Sequence, residues 1–436
     1  MNLRPARRGQ GVTPVGGVFQ AFRSFRTRNY RLFWFGQLVS LAGTWMQDLA
    51  IGWLVYTLSG SNLALGLTMA IRFGPALLFS LYGGVLADRL RKRPTMIYCE
   101  ALQLVIALTL AILMSADLIT VTIIWVLAGI RGVGEAVQGP IRQAFVPEMV
   151  GTEDLTNAIA LNSTQFNSAR IIGPAVGAII VKTVGYAACF YINAGSFLAV
   201  IGALLAMRVS ELHLVPRLPR EPVIEQVREG LRYARSQPDV VAILIVVGFI
   251  GAFGYNFMTL APMITKEVLH RDLGTVGWLT TTMAVGSVLA GVFMAYRGRP
   301  TRRLLLIPSA VFVVMLAALS VSRWVSVTTV LMFGLGITGI LFMTTANTRL
   351  QLAVPGQMRG RVMGIYAVLF VGTTPIGATV MGALADAINV PGMVLIMAGL
   401  CAVGVVWAAL YLRGAGTVDR IVTDTALEKG SPGDAA

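Results

Sequence analysis

The chain has 436 residues, of which 56% are hydrophobic and 13% are charged, and its formal net charge is +15. Soluble globular domains carry about 25% charged residues, so this composition excludes an ordinary soluble globular protein. The positive charge argues for membrane orientation rather than nucleic-acid binding, because Lys and Arg cluster in short breaks between apolar runs.

The first segment is a basic arm, residues 1–31, with seven arginines. The apolar run after it, residues 32–58, exceeds the roughly 7–15 residues of a signal-peptide core. We therefore expect the arm to stay in the cytoplasm and the first span to be retained.

Twelve apolar runs approach or exceed the roughly 20 residues that a helix needs to cross a bilayer. Their length and lack of alternation favour helices over barrel strands. The sequence predicts an all-α membrane protein with twelve transmembrane helices. These predicted spans are residues 32–58, 63–87, 95–116, 119–141, 155–181, 186–207, 239–263, 274–296, 303–321, 325–348, 360–385 and 391–412.

The distribution of cations predicts the orientation. With a cytoplasmic N-terminus, 28 of the 35 Lys and Arg residues lie in cytoplasmic segments or helix ends, four lie outside and three lie within spans. Cytoplasmic loops of membrane proteins carry such an excess. We therefore expect both termini in the cytoplasm.

The longest break, residues 208–238, separates an N-terminal six-helix bundle, residues 32–207, from a C-terminal one, residues 239–412. Within it, apolar residues at helical spacing predict an amphipathic helix on the cytoplasmic membrane surface. A linker role for this helix is favoured over a regulatory one. The tail, residues 413–436, is predicted to be disordered. The apolar positions of the predicted amphipathic helix are Ile224, Val227, Leu231 and Ala234.

The two halves repeat weakly. Val146-Pro147 and Gly173-Pro174 in the first half correspond to Val354-Pro355 and Thr374-Pro375 in the second. Residues 291–299 echo residues 84–92 but lack the aspartate. Such a six-plus-six repeat, related by a pseudo-two-fold axis, is the architecture of transporters whose halves rock about a central site.

Ionisable residues within a span are costly and are functional candidates. Asp48 in the first span could take up and release a proton as its surroundings change; a static ion pair with an arginine is the alternative. Arg131 and Glu135 lie four residues apart on one face of the fourth span, where they can pair for coupling or for structure alone. Glu100 lies nearer the cytoplasmic end of the third span.

Arg170 lies on a polar face of the fifth span that includes Asn162, Gln165 and Asn167, and we expect this face to line a central cavity. Interhelical hydrogen bonding is the alternative. Arg72 lies closer to the outer end of its span, where snorkelling or a local ion pair could explain it. Three arginines against two deep carboxylates leave positive charge that would suit an anionic substrate. Further cavity candidates are Trp45, Met46, Gln47, Asn256, Phe257, Met258 and Thr259.

The turn Gly84-Val85-Leu86-Ala87-Asp88-Arg89 resembles the cytoplasmic signature of the major facilitator superfamily, with Arg91 in place of the usual second glycine. The branch of bacterial exporters that contains the enterobactin exporter and macrolide-efflux proteins is similar to this chain at residues 28–32, 36–40, 43–47, 147–162 and 170–174. The resemblance covers essentially the whole chain and implies the major facilitator fold and a location in a bacterial inner (cytoplasmic) membrane.

The resemblance also implies roles for single residues. Arg131 would take part in proton coupling, and Gly84, Asp88 and Arg89 would form a cytoplasmic gate. Gly173-Pro174-x-x-Gly177 is similar to part of an antiporter motif in the fifth span, with an ordinary packing kink as the alternative.

The sequence thus predicts a proton-coupled exporter of hydrophobic or amphipathic small molecules, of the drug or siderophore class, that works by alternating access. The expected proton-coupling residues are Asp48, Glu135 and Arg131. A lipid or lysophospholipid translocator, or an importer, is the alternative. We expect a monomer that meets its substrate, protons and the bilayer, with no nucleic-acid partner, cofactor or metal and no enzymatic activity.

Overall fold

The computed structural model describes residues 22–213, 223–297 and 300–414, and for residues 78–89 and a few others it describes the backbone alone. Within these ranges the chain forms helices and no β-strand, which confirms the all-helical prediction. Most of the basic arm, and the tail from residue 415, lie outside the described residues.

The first half contains helices that follow one another through short turns. Gly60 has a φ of 65° at the end of the first of these helices, a conformation that glycine adopts without strain, and it lets the chain reverse at once. The helices are α1 (Arg28–Ser59), α2 (Asn62–Arg89), α3 (Lys92–Ser115), α4 (Val121–Val150), α5 (Leu155–Thr183) and α6 (Tyr186–Leu205).

The second half follows the same pattern, but two of the predicted spans are interrupted. Five-residue π-helical turns, Ile250–Gly254 and Val368–Gly372, follow α8 and α13, and Pro375 in the first turn of α14 has no backbone N–H to donate. The helices are α7 (Val223–Ser236), α8 (Pro238–Phe249), α9 (Phe257–Met263), α10 (Leu273–Arg297), α11 (Arg302–Val321), α12 (Val325–Ala353), α13 (Gly356–Ala367), α14 (Thr374–Ala387) and α15 (Val390–Gly414).

Among the described residues, ten helical segments are long and apolar enough to cross a membrane. Two further helices, α2 and α5, are of similar length but are not among the ten. In α5 the amides that precede Arg170 lower the apolarity. The number of twelve spans therefore stays a prediction.

Matching glycine contacts hold helices together within each half. A Cβ atom on Gly132 of α4 would lie 2.1 Å from the carbonyl oxygen of Arg72 on α2. A Cβ atom on Gly336 of α12 would lie 2.0 Å from the carbonyl oxygen of Met283 on α10. Since backbone atoms cannot yield to such an overlap, these positions require glycine for the observed helix spacing.

Among the described residues, the two most extensive helix contacts between the halves are those of α2 with α14 and of α5 with α10, and α9 also packs on α1 and α2. Here too small residues allow close approach. A Cβ atom on Gly66 would lie 2.3 Å from the carbonyl oxygen of Ala378, and one on Gly277 would lie 2.6 Å from the Cβ of Ala178.

Polar contacts between the halves gather where α1 ends and α2 begins, and we call this region the α1–α2 seam. The Asp386 carboxylate accepts hydrogen bonds from the backbone N–H groups of Asn62 (2.8 Å) and Leu63 (3.0 Å) and from the Ser61 hydroxyl (2.7 Å). An aspartate of one half thus caps the first turn of a helix in the other half, where the helix dipole favours negative charge.

A second carboxylate reaches across the α1–α2 seam, and a third joins the halves near the end of α5. Glu267 Oε1 accepts hydrogen bonds from the Tyr56 hydroxyl (2.7 Å) and the Asn62 amide (2.6 Å). Lys182 pairs with Asp272 at 3.2 Å, and the hydrogen bond from its ammonium lowers the pKa of Asp272. Both side chains of this last pair are more than half exposed, so the pair contributes little stability.

The linker helix α7 rests on the second half. Ala234 is buried, the Tyr233 hydroxyl donates to the Ala353 carbonyl at 3.3 Å, and Glu229 forms an ion pair with Arg361 of α13. Leu231 is 41% exposed. The side chains of Ile224 and Val227 lie outside the described residues.

We expect Gly277→Ala to lower the thermal stability of the protein and Gly291→Ala, on the same helix, to leave it equal or higher. The new methyl at position 277 would overlap Ala178, and overpacking costs about 1–3 kcal/mol. Nothing lies within 4 Å of the added carbon at position 291, and alanine is favoured over glycine in helices by up to about 1 kcal/mol. Thermal unfolding in detergent measures both, and equal shifts would contradict the close α5–α10 contact.

The cap across the seam gives a second prediction. Asp386→Ala removes the acceptor for two backbone donors, and loss of such a cap costs about 0.5–2 kcal/mol. Lys182→Ala, which removes an exposed ion pair and leaves Asp272 bonded to Thr275, is the matched control and should change the unfolding free energy by less than about 0.5 kcal/mol. A larger effect of Lys182→Ala than of Asp386→Ala would show that the cap does not hold the seam.

Candidate functional site

Three helices place charged side chains at the same depth in the first half. Asp48 lies 11 residues before the last residue of α1, and Arg72 and Arg131 each lie ten residues after the first residue of α2 and α4. Because α1 ends, and α2 and α4 begin, at one side of the bundle, these residues meet. At about 1.5 Å per residue they lie roughly 15 Å from the helix ends.

The four charged side chains form one network, which we call the charge tetrad (Asp48, Arg72, Arg131 and Glu135). Arg131 donates from Nη1 to Asp48 Oδ1 at 2.8 Å and from Nε to Glu135 Oε1 at 2.9 Å. Arg72 pairs through Nη1 with Asp48 Oδ2 at 2.7 Å and through Nη2 with Glu135 Oε1 at 3.3 Å. Each arginine therefore bridges both carboxylates.

Burial makes the tetrad interdependent. The side chains of Asp48 and Arg131 are 4% exposed and that of Arg72 is 9% exposed, whereas Glu135 is 28% exposed. Two cations and two anions balance when both carboxylates are ionised. Removing one partner of a buried pair leaves an uncompensated charge and costs about 3–5 kcal/mol.

Backbone packing sets the arrangement of the two arginines. The contact between Gly132 and the Arg72 carbonyl brings α2 and α4 together at the depth of the tetrad. Two guanidinium groups at this contact would repel one another without an anion between them. Asp48 and Glu135 supply that anion from two sides.

A cavity of about 10 Å³ adjoins Asp48, Arg72 and Arg131, with Gln47 and Thr68 among its polar walls. A single water molecule needs about this volume and two to four polar partners. The tetrad therefore has room beside it for one small polar molecule.

The structure brings together the three residues predicted to couple protons, Asp48, Arg131 and Glu135, and adds Arg72. The predicted span places Arg72 nearer its outer end, whereas in the structure Arg72 lies at the same depth as Arg131. The signal in the sequence is the equal distance of the two arginines from the start of their helices.

The substrate-cavity candidates on α1 divide into two groups. Trp45 and Met46 pack against Gly173 and Gly177 of α5, where added Cβ atoms would lie 2.5 Å from Trp45 Cβ and 2.8 Å from Met46 Cγ. Pro174 lies between these glycines within α5, so the predicted glycine–proline segment forms a close helix contact. Gln47 is buried and accepts a hydrogen bond from the Asn193 amide at 2.7 Å.

The polar face of α5 is partly used for packing. The Tyr30 hydroxyl donates to Asn162 Oδ1 at 2.9 Å, and the Gln165 amide donates to the Trp34 carbonyl, so both amides join α5 to α1. For these two residues the alternative of interhelical hydrogen bonding applies. Asn167 donates to the Ser163 carbonyl of its own helix at 2.8 Å.

The candidates in the second half lie on or beside α9. Asn256, Phe257 and Thr259 are buried, and the ring of Phe257 packs edge-on against Tyr255, with centroids 5.5 Å apart. Met258 is partly buried. In this conformation the first three contribute to packing rather than to an open surface.

The gating residues predicted from the resemblance are at the end of α2. The backbone of Gly84, Asp88 and Arg89 is helical, and the side chains of Asp88 and Arg89 lie outside the described residues. Their role stays a prediction.

A further buried carboxylate lies outside the tetrad, and Arg142 interacts electrostatically with both this carboxylate and Glu135. Glu100 on α3 is 1% exposed and accepts a hydrogen bond from the Gln138 amide of α4 at 2.7 Å. Within the described residues, no group of His, Cys, Asp and Glu side chains could hold a metal ion.

Comparison with known proteins identifies relatives. The chain is 27% identical to the multidrug efflux pump Tap of Mycolicibacterium fortuitum, over 81% of this chain and 88% of that protein. It is 27% identical to the staphyloferrin A transporter of Staphylococcus aureus, over 60% of this chain and 65% of that protein. It is also 24% identical to macrolide efflux protein A of Streptococcus pyogenes, over 85% of this chain and 92% of that protein.

Solved structures agree on the fold. A bacterial homologue of the human lysosomal transporter Spinster, in an inward-facing conformation, matches with a TM-score of 0.68 and 12% identity, over 88% of this chain and 95% of that chain. The family model for transmembrane secretion effectors matches residues 19–428. The chain therefore belongs to the transmembrane secretion effector family of the major facilitator superfamily, which is a group of transport proteins.

Proposed function

We propose that this protein is a proton-coupled secondary active exporter of hydrophobic or amphipathic small molecules, of the drug or siderophore class, that works by alternating access. The charge tetrad carries the proposal. Four ionisable groups within membrane-crossing helices are costly, and such groups mark ion pathways in transporters. Efflux pumps and a siderophore transporter among the relatives support the direction and the substrate class.

The tetrad suits proton uptake because its charges balance. When one carboxylate takes up a proton, two arginines face a single anion, and the bonds that join α1, α2 and α4 weaken. Glu135 is the more exposed carboxylate, so we assign proton entry to Glu135 and the deeper site to Asp48. Arg131 and Arg72 transmit the change between the two carboxylates.

The α1–α2 seam provides the element that the tetrad acts on. Helices α1 and α2 carry Asp48 and Arg72 and also carry Tyr56, Asn62 and Gly66 of the seam. Loosening α1 against α2 would therefore reach the contacts between the halves. With a cytoplasmic N-terminus the seam closes the outer side, as expected for an inward-facing or occluded state.

We assign the helices to twelve spans in two six-helix bundles, with both termini in the cytoplasm of a bacterial inner membrane. The matching contacts of Gly132 and Gly336 support a repeat of the two halves. The cation distribution supports the orientation. On the cytoplasmic side, the resemblance supports a gate in which Asp88 lies against the N-terminus of a helix from the other half.

Uptake of erythromycin into everted membrane vesicles tests the proposed function. Vesicles that contain the protein should accumulate the drug when the interior is acidified, and an uncoupler should abolish the accumulation. Uncoupler-insensitive uptake would reject proton coupling. Flipping of a fluorescent lysophospholipid, without drug uptake, would favour the lipid translocator instead.

Asp48→Asn should abolish concentrative uptake while preserving exchange of labelled for unlabelled drug across the membrane. Exchange needs the substrate site and alternating access but no net proton movement, so it also reports that the variant is folded. Asp272→Asn, in an exposed pair, is the control and should retain both activities. Full concentrative uptake by Asp48→Asn would remove Asp48 from the proton pathway.

A further inference from the structure

Arg170 on α5 is a cation without a partner in the part of the chain that the structure describes. It is partly buried, and it makes no hydrogen bond or ion pair with any described residue. The other deep arginines of the first half, Arg72 and Arg131, share two carboxylates and form a neutral group. The positive charge of Arg170 is therefore left uncompensated by the described residues.

The packing of α5 places Arg170 beside the contact between the halves. Gly173, three residues further on, packs on Trp45 of α1 in the first half. The carbonyl of Pro174, four residues further on, lies against Gly277 of α10 in the second half. The Thr281 hydroxyl of α10 also donates to the Ile171 carbonyl at 3.4 Å, so Arg170 lies beside the contact between the halves.

Arg170 is also deep in the helix. It lies 15 residues after Leu155 and 13 residues before Thr183, or about 20 Å from either end. A lipid head group stays at the membrane interface, so it would not reach this depth in an undisturbed bilayer. A dissolved small molecule that enters the space between the halves would.

Aromatic surface lies beside the cation. Phe166, one turn before Arg170, is 41% exposed, and its ring packs edge-on against Trp45 with centroids 5.7 Å apart. Aromatic rings offer apolar contact area next to the fork of donors on the guanidinium, which matches carboxylate geometry. The pair of features fits a molecule with an apolar body and an anionic group.

We propose that Arg170, with Phe166 and Trp45, forms the site that binds the carboxylate end of an amphipathic anionic substrate. This inference rests on the proposed function and narrows its substrate class. Trp45 precedes Asp48 by three residues on α1, about 5 Å along the helix axis. A substrate that moves Trp45 is thus one helical turn from the charge tetrad.

Binding of fluorescein and of fluorescein methyl ester to the purified protein in zwitterionic lipid nanodiscs tests the site, with anisotropy as the readout. The two dyes share their ring system and differ in the carboxylate. We expect wild-type protein to bind the acid at least about 10-fold more tightly than the ester. Arg170→Gln should reduce acid binding to the level of the ester, and Arg170→Lys should retain part of the preference.

The matched control is Lys182→Gln, which removes an exposed cation near the far end of the same helix and should keep the preference. Ester binding by Arg170→Gln shows that the variant is folded. Lack of acid preference in the wild type, absence of binding by either dye, or a preference that survives Arg170→Gln would overturn the anion site.

The lipid arm of the experiment adds lysophosphatidylglycerol as a competitor. The proposal would be overturned if this lipid displaces fluorescein and the wild-type protein does not prefer the acid over the ester. Arg170 would then be assigned to a lipid head group. If the dye-binding tests fail while wild-type vesicles still accumulate erythromycin on a proton gradient, the exporter function stands and only the anion site is rejected.

Discussion

The need to neutralise charge inside a membrane governs the first half of this protein. Four ionisable groups from α1, α2 and α4 balance one another's charge, and their ion pairs join each arginine to both carboxylates. The helix positions depend on this network, because a shift of any one helix would separate a bridged pair. The network also depends on the backbone, since Gly132 permits the approach that brings the arginines together.

Much of the fold could be predicted from the sequence because apolar length and cation placement are strong signals in membrane proteins. The helical character and the family were predicted from residues alone, as was the pairing of Arg131 with Glu135 through their spacing. The π-helical interruptions before Tyr255 and Pro375 were not, because they depend on packing between helices. The capping of α2 by Asp386 joins residues more than 300 apart and has no local signature.

The candidate site was harder to predict than the fold. Charge alone singled out Asp48, Arg131 and Glu135, but Arg72 looked peripheral until its depth was set by the neighbouring helices. Amides such as Asn162 and Gln165 looked like cavity linings, whereas their partners on α1 show that they join helices. Polarity in a span indicates that a partner exists; only the three-dimensional packing shows whether that partner is protein or substrate.

The close approach of α12 to α10 at Gly336 bears on how the two halves came to differ in buried charge. Leu335 and Met283 stand at the contact where the first half has Arg131 and Arg72, and both are buried in the apolar core. The second half therefore keeps the backbone frame of a charge site while filling it with hydrocarbon. An ancestral duplicated unit could have acquired or lost its ion pathway through side-chain replacement alone, without any change in how the helices cross.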